Sequence, residues 1–125
     1  MIVGTGVDIV EVRRVGAAIE RFGERFLKRI YTPAEMQYCD SKLNRVERYA
    51  ARFAAKEAGL KAIGTGWRRG VAWTELEVRR EASGRPTLAF SGRAGEFAAA
   101  LGVKQSFVSL SHTAEHAIAQ VILEA

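Results

Sequence analysis

The sequence predicts a single-domain α+β protein in which one long helix packs on a small, mainly antiparallel sheet. Three observations lead to this prediction. An apolar stretch of strand character opens the chain, a run rich in alanine and charged residues fills its middle, and short apolar runs separated by glycine turns follow. Strands at both ends with helices between them are typical of the α+β class. A length of 125 residues fits one domain, residues 1–125, with one core.

Composition and charge restrict the function classes. The chain is 48% hydrophobic and 26% charged, which is the composition of a globular protein and excludes a disordered one. The single cysteine, Cys39, cannot form an internal disulfide, and no apolar stretch approaches the ~20 residues that cross a bilayer. With no basic leader before the first strand, we expect a cytoplasmic protein without membrane contact. The net charge of +5 predicts an acidic partner, such as a phosphate ligand, a nucleic acid or an acidic protein.

The first third of the chain predicts a strand followed by helices. Met1 to Val10 reads as a strand with Asp8 near its end. From Glu11 the apolar residues recur at helical spacing, with Gly23 as a possible break; they are Val12, Val15, Ile19, Phe22 and Phe26. Thr32 and Glu35 form a capping box with Pro33 at the first helical position, so another helix begins there.

The longest predicted helix runs from Leu43 to Ile63 and ends at Gly64 and Gly66. Gly59 inside it costs about 1 kcal/mol of helix stability relative to alanine, so we expect close packing there. The second half predicts a hairpin over residues 76–81 and 85–90 with a glycine turn, a short helix over 93–102, and two strands over 105–113 and 116–125.

Glu57 and Lys61 are charged residues inside the alanine-rich helix. Four residues apart, they lie on one helix face. A surface ion pair is the ordinary interpretation, but the small residues around them indicate close packing against another element. The alternative is a carboxylate that binds a hard cation beside a lysine that contacts phosphate, with Asp8 as the second carboxylate. Asp8 could instead cap the following helix.

Two further motifs bear on phosphate binding. Gly64, Thr65 and Gly66 offer backbone N–H groups and a hydroxyl to phosphate oxygens, although no lysine stands where a P-loop requires one. His112 lies at a strand end and could be a base, a phosphate contact or a turn residue. His116 follows four residues later, but the flanking segments are predicted strands, and this spacing does not place both histidines on one helix face, so a zinc site is excluded.

Taken together, four segments resemble a known family. GTGVDIVEV at the start, RFAAKEAGLKAIGTG in the long helix, SGRP in the hairpin and VSLSHTAEHAIAQV at the end resemble the holo-(acyl carrier protein) synthases. These are the small bacterial class of the 4′-phosphopantetheinyl transferase family. The match covers essentially the whole chain in the same order.

The resemblance implies a fold and an activity. It implies a 4′-phosphopantetheinyl transferase-like fold that transfers the phosphopantetheine group of coenzyme A to a serine of apo acyl carrier protein, in fatty acid biosynthesis. Adenosine 3′,5′-bisphosphate is released. The family is cytoplasmic, depends on Mg²⁺ and forms homotrimers with active sites between subunits, and neither a nucleic acid nor a membrane is an expected partner.

The resemblance also implies roles for particular residues. Asp8 and Glu57 match the metal-binding carboxylates and Lys61 matches the lysine near the pyrophosphate. Gly64, Thr65 and Gly66 match the turn on the phosphate side. The positions that match contacts to the nucleotide portion of coenzyme A are Arg52, Gly84, Arg85, Pro86 and His112.

The carrier protein is expected at the first helical region. Residues 11–30 contain six basic and three acidic residues, and Arg14, Arg21 and Arg25 form a basic stripe. Acyl carrier proteins are acidic, so the resemblance implies docking on this stripe.

Two other functions compete with the transferase. A nucleic-acid-binding module would use the positive charge, although the arginines are spread over several elements and few aromatic residues lie among them. A metal-dependent phosphohydrolase would use the same carboxylates and would release phosphate from coenzyme A without a carrier.

Overall fold

The computed structural model describes residues 1–66 and 69–125. In chain order the elements are β1 (Ile2–Glu11), α1 (Val12–Phe22), α2 (Glu24–Ile30), α3 (Pro33–Asp40), α4 (Arg45–Ala62), a 3₁₀ turn (Trp73–Glu75), β2 (Leu76–Arg80), β3 (Pro86–Phe90), α5 (Gly92–Ala100), β4 (Gln105–His112) and β5 (His116–Glu124). The predicted α+β class is confirmed. No helix within the described residues combines the length and the apolar character that crossing a membrane requires.

Two antiparallel sheets surround the long helix. The larger has the strand order β1-β5-β4, so the first strand of the chain pairs with the last and forms one edge. The smaller is the predicted hairpin of β2 and β3. Helix α4 packs across all three strands of the larger sheet and also contacts β2. The helix from the middle of the sequence thus packs on the sheet that joins the first and last strands.

The possible helix break at Gly23 is confirmed. Gly23 has a φ of 58° and separates α1 from α2. The basic stripe is therefore divided, with Arg14 and Arg21 on α1 and Arg25 on α2. The capping box at the start of α3 is present as expected: the backbone N–H of Glu35 donates to the Thr32 hydroxyl, and the backbone N–H of Thr32 donates to the Glu35 carboxylate.

A glycine-mediated contact holds β1 against α4. A Cβ on Gly6 would lie 1.9 Å from the carbonyl oxygen of Ala58, and one on Gly4 would lie 2.1 Å from that of Ala62. Neither backbone position has room for a side chain. The two elements can approach so closely only because β1 carries glycine at alternate positions, which face the helix.

Gly59 allows close packing of α4 against the β2–β3 hairpin. A Cβ there would lie 2.6 Å from Leu76 Cδ2 and 3.0 Å from Leu88 Cδ2 of the hairpin. The helix continues unbroken through this glycine. The packing expected from the sequence is therefore found, and the hairpin leucines fill the space.

A buried ion pair joins α3, α4 and β2, and no pattern in the sequence indicated it. The Nζ of Lys56 lies 2.8 Å from Glu35 Oε1, and both side chains are fully buried. Lys56 also donates to the carbonyls of Trp73 and Leu76, while Glu35 accepts a 2.8 Å bond from the N–H of Val78. Burial lowers the pKa of Lys56, and Glu35 opposes that shift. Removing one partner of such a pair typically costs about 3–5 kcal/mol.

The glycine contact gives a prediction about stability. Gly6→Ala should lower the free energy of unfolding by about 3 kcal/mol or more, because the new Cβ meets a helix carbonyl that cannot move independently. Urea denaturation measures the change. Gly95→Ala in α5 is the matched control, since its Cβ would lie 3.4 Å from the Phe90 carbonyl oxygen and should cost little. Equal stability of the two variants would contradict the packing constraint.

Candidate active site

Two carboxylates from different elements meet beside the contact between β1 and α4. Asp8 extends from β1 and Glu57 from the second half of α4, and both line a cavity of about 570 Å³. Asp8 does not cap the following helix, because Glu11 occupies the N-cap position of α1. The structure therefore brings together the two carboxylates that the sequence proposed as a pair.

The position of Glu57 beside Asp8 changes its pKa. Burial raises the pKa of Glu57, the negative charge of Asp8 raises it further, and Lys61 lowers it. The Oδ2 atom of Asp8 is buried and has no hydrogen-bond partner within residues 1–66 and 69–125. A buried carboxylate oxygen without a partner is costly, so the site as it stands favours an added cation.

The donor set suits Mg²⁺. This ion binds through one or two carboxylates and leaves its other positions to water and substrate phosphates. Among the described residues, no group of three or more His, Cys, Asp or Glu side chains is placed to hold a metal, so the site offers only this pair of carboxylates. Asp8, with its partnerless Oδ2, and Glu57 are the residues that could hold a metal ion.

Lys61 completes the cluster. Its Nζ donates to Asp8 Oδ1 at 2.9 Å and to the carbonyl of Val7 at 3.1 Å. The hydrogen bond to Asp8 is the largest of the effects that raise the pKa of Lys61. The side chain is 52% exposed, so a positive charge stands at the rim of the carboxylate pair and remains accessible to a substrate.

The glycine turn after α4 uses its own polar groups to end the helix. Gly64 and Gly66 have φ angles of 81° and 58° and end the helix as predicted. However, the N–H of Gly64 donates to the Lys61 carbonyl, and those of Thr65 and Gly66 donate to the Leu60 carbonyl. The Thr65 hydroxyl donates to the Gly66 carbonyl at 2.6 Å. These N–H groups and the Thr65 hydroxyl thus terminate α4, and the expected contact of the turn with phosphate stays a prediction.

Arg52 lies in a second, cationic site. It is only 2% exposed, and its guanidinium carbon lies 4.2 Å from the ring centroid of Tyr38. The guanidinium carbon of Arg80 lies 4.9 Å from the same ring, and Arg48 donates to the Tyr38 hydroxyl at 3.4 Å. Over the described parts of the chain, the buried Nε of Arg52 has no hydrogen-bond partner.

We call these four residues, Tyr38, Arg48, Arg52 and Arg80, the Tyr38 cluster. All of them except Arg48 line a cavity of about 220 Å³. Several positive charges around a cavity, together with an unsatisfied donor, could hold an anion. The sequence indicated only Arg52. The spacing of Arg48 and Arg52 at i,i+4 was a signal for a shared helix face, but nothing in the sequence placed Tyr38 or Arg80 beside them.

The other residues expected to contact the nucleotide do not line the carboxylate cavity of the same chain. Gly84, Arg85 and Pro86 form the turn and first residue of the β2–β3 hairpin, and Gly84 has a φ of 91°. His112 ends β4, where its Nδ1 lies 3.0 Å from Glu47 Oε1. The described residues that line the carboxylate cavity include neither the hairpin turn nor His112.

The arginines expected to dock a carrier are exposed. Arg14 lines the carboxylate cavity, whereas Arg21 and Arg25 lie farther along α1 and α2. Four further cavity residues, Glu11, Phe26, Phe53 and His116, have no functional role that the sequence indicated. Phe26 belonged to the apolar stripe, but His116 reaches the site only because it pairs with Glu11 across β5 and β1.

Comparisons with known proteins agree on one family. The family model described as the 4′-phosphopantetheinyl transferase superfamily matches residues 4–121. A holo-[acyl-carrier-protein] synthase of Koribacter versatilis is 61% identical over 124 residues, which are 99% of each chain. The crystal structure of the Neisseria meningitidis holo-[acyl-carrier-protein] synthase is similar with a TM-score of 0.89 and 34% identity, covering 100% of both chains.

A further solved structure has a bound ligand. The Helicobacter pylori holo-[acyl-carrier-protein] synthase in complex with coenzyme A superposes with a TM-score of 0.85 at 28% identity, covering 96% of this chain and 99% of that one. The chain belongs to the 4′-phosphopantetheinyl transferase superfamily. Within it, the similarity to holo-(acyl carrier protein) synthases extends over the full length, which confirms the resemblance seen in the sequence.

The raised pKa of Glu57 gives a prediction about pH and stability. Folding raises the pKa above its ordinary value of 4.5, so the folded protein binds this proton more tightly than the unfolded chain does. Ionisation of Glu57 therefore lowers the free energy of unfolding. This loss is absent below the unfolded pKa, grows between the unfolded and the folded pKa, and is complete above the folded pKa. In metal-free buffer, Glu57→Gln should be more stable than the wild type at neutral pH, and the gain should vanish near pH ~4.

Urea denaturation at several pH values tests this. Glu20→Gln on the exposed face of α1 removes the same charge outside the cavity and is the control. A Glu57→Gln variant that is less stable than the wild type at neutral pH would contradict the repulsion between the two carboxylates.

Proposed function

We propose that this protein is a holo-(acyl carrier protein) synthase that transfers the 4′-phosphopantetheine group of coenzyme A to a serine of apo acyl carrier protein. The observation that carries the proposal is the cluster of Asp8, Glu57 and Lys61 beside a cavity that Arg14 also lines. The relatives with this name, and the Helicobacter pylori complex with coenzyme A, support the choice of substrate. Cytoplasmic location and service to fatty acid biosynthesis stay predictions.

Glu57 accepts the proton in the proposed reaction. The serine oxygen forms a bond to the phosphorus that carries pantetheine, and the pyrophosphate P–O bond breaks. The departing adenosine 3′,5′-bisphosphate takes the electron pair, and the serine proton moves to Glu57. A carboxylate whose pKa is raised is a better proton acceptor at neutral pH than an ordinary one, because its pKa lies nearer the operating pH.

Lys61 supplies positive charge to the reacting phosphates. Its pKa is raised, so the ammonium group stays protonated at neutral pH and acts through its charge. Asp8 holds this ammonium group at 2.9 Å and orients it at the rim of the site. Mg²⁺ bound by Asp8 and Glu57 would neutralise negative charge on the pyrophosphate oxygens.

The nucleotide portion of coenzyme A would occupy the cationic regions. The Tyr38 cluster has the positive charge that a ribose phosphate requires, and the buried Arg52 is fixed in place. Gly84 to Pro86 and His112 are the other proposed contacts. The turn at Gly64 to Gly66 adjoins Lys61 and would approach the phosphates through its exposed surface and not through its N–H groups.

We also propose the homotrimer with sites between subunits. The outer face of the larger sheet exposes Val7 and Ile9 of β1 at 54% and 61%, and Ile118 of β5 at 42%. Ile9 and Ile118 are direct partners in the sheet, so this apolar surface is continuous. A cyclic assembly would bury it. It would also allow the hairpin turn or His112 of one subunit to approach the carboxylates of the next.

The central prediction concerns the two carboxylates. Glu57→Gln should lower transfer by about 10²–10⁴-fold, because it removes both the proton acceptor and a metal ligand. Asp8→Asn should also lower it, with partial rescue by excess Mg²⁺. The assay incubates each variant with coenzyme A, Mg²⁺ and an apo carrier protein and measures the mass of the carrier.

The control is again Glu20→Gln, which should transfer at the wild-type rate. Wild-type turnover of Glu57→Gln or Asp8→Asn at limiting Mg²⁺ would contradict the proposed metal site. Phosphate release from coenzyme A without any carrier would instead favour a phosphohydrolase. No mass gain with any apo carrier tested would rule out the transferase.

The oligomeric state is expected to depend on the outer sheet face. Light scattering should give three times the chain mass of 13.7 kDa for the wild type. Val7→Glu should reduce the mass, because a charge cannot be buried in that surface without a partner. Ala99→Glu on the exposed side of α5 is the control. An active wild-type monomer would refute a site shared between subunits.

The carrier interaction should depend on the basic residues of α1. Arg14→Glu or Arg21→Glu should raise the KM for carrier protein and weaken its salt dependence, because opposite charges speed encounter and are screened over ~8–10 Å. The KM for coenzyme A should change little. Arg93→Glu on α5 makes the same change in net charge and is the control. A carrier KM and salt dependence at wild-type values in both α1 variants would show that the carrier docks elsewhere.

A further inference from the structure

A polar contact joins the first turn of α4 to the end of β4. The Nδ1 atom of His112 lies 3.0 Å from Glu47 Oε1, and the two side chains are 22% and 26% exposed. A carboxylate only accepts hydrogen bonds, so the ring nitrogen at this contact carries the hydrogen. That assignment fixes which nitrogen of the imidazole is committed to the protein. Among residues 1–66 and 69–125, the other nitrogen, Nε2, makes no hydrogen bond, so it is the one left for a substrate.

The same turn of α4 leads into the cationic site. Glu47 directly precedes Arg48, whose guanidinium donates to the Tyr38 hydroxyl at 3.4 Å. Arg52 follows one helical turn later with its guanidinium over the Tyr38 ring. One rigid helix therefore positions both the Tyr38 cluster and the carboxylate that holds His112.

We propose that Glu47 is a positioning residue for substrate binding: by accepting the Nδ1 hydrogen of His112, it orients Nε2 toward the nucleotide portion of coenzyme A. This inference rests on the proposed function, which assigns His112 to that part of the substrate. Glu47 itself touches neither the substrate nor the reacting atoms. An imidazole held by a carboxylate keeps one ring orientation and one tautomer, which reduces the cost of ordering it when a ligand binds.

The tautomer can be measured without any activity. The protein has two histidines, so His116 serves as an internal reference. At a pH of about 9, well above the ordinary histidine pKa of ~6.5, imidazole ¹⁵N shifts report which nitrogen carries the hydrogen. His112 should show the Nδ1–H form in the wild type and lose it in Glu47→Ala, while the signals of His116 stay unchanged. An identical His112 spectrum in both proteins would overturn the proposal.

Kinetics distinguish positioning from a purely structural role. Glu47→Ala should raise the KM for coenzyme A about fivefold, the effect of one lost hydrogen bond, and should alter kcat and the carrier KM less than about twofold. Glu47→Gln should recover most of the loss, since the amide oxygen still accepts from Nδ1. Glu96→Ala, an exposed glutamate of α5, is the matched control.

The decisive comparison is made in a His112→Ala background. There, Glu47→Ala should add less than about a twofold effect on the KM for coenzyme A, because its partner is already gone. A full effect in that background, or an equal rise in the KM for the carrier, would overturn the proposal. Absence of transfer by the wild type would refute the proposed function instead, and the tautomer measurement would still report on the contact between Glu47 and His112.

Discussion

The close approach of β1 to α4 is the constraint on which the rest of the structure depends. Gly4 and Gly6 face helix carbonyls at distances that exclude any Cβ. The edge strand therefore lies directly against the helix backbone, and Asp8, two residues after Gly6, is held beside Glu57. With larger residues at positions 4 and 6, strand and helix would separate, and two carboxylates on elements that are distant in sequence would no longer share one cavity.

This proximity has an electrostatic cost that the protein does not fully offset by itself. Asp8 and Glu57 repel each other, Glu57 is partly buried with a raised pKa, and one oxygen of Asp8 lacks a partner among the described residues. Lys61 reduces the repulsion but remains about half exposed. The carboxylate pair is unfavourable alone and becomes favourable when a cation and phosphate oxygens bind. Binding relieves the repulsion between the carboxylates, and such a site suits the transfer of a phosphate-linked group.

One chain holds two separate charged regions, and this bears on assembly. The carboxylate cavity lies between β1, α1 and α4, whereas the Tyr38 cluster lies between α3, α4 and the hairpin. A substrate with a pyrophosphate and a ribose phosphate needs both kinds of contact. The exposed apolar face of the larger sheet offers a way to bring a second copy into contact with β1. The proposed trimer would thus connect the two regions through neighbouring subunits.

The sequence by itself determined the local structure and the family. The capping box at Thr32, the helix ends at Gly23 and Gly64, and the hairpin turn at Gly84 are each encoded within a few residues, and the pairing of Asp8 with Glu57 followed from recognisable motifs. Only the tertiary structure revealed the buried pair of Lys56 and Glu35, the arginines around Tyr38, and the contact of His112 with Glu47. The partners in these contacts lie on different elements, 10 to 65 residues apart. Local spacing carries no information about which side chains meet across a fold, because that depends on how the elements pack.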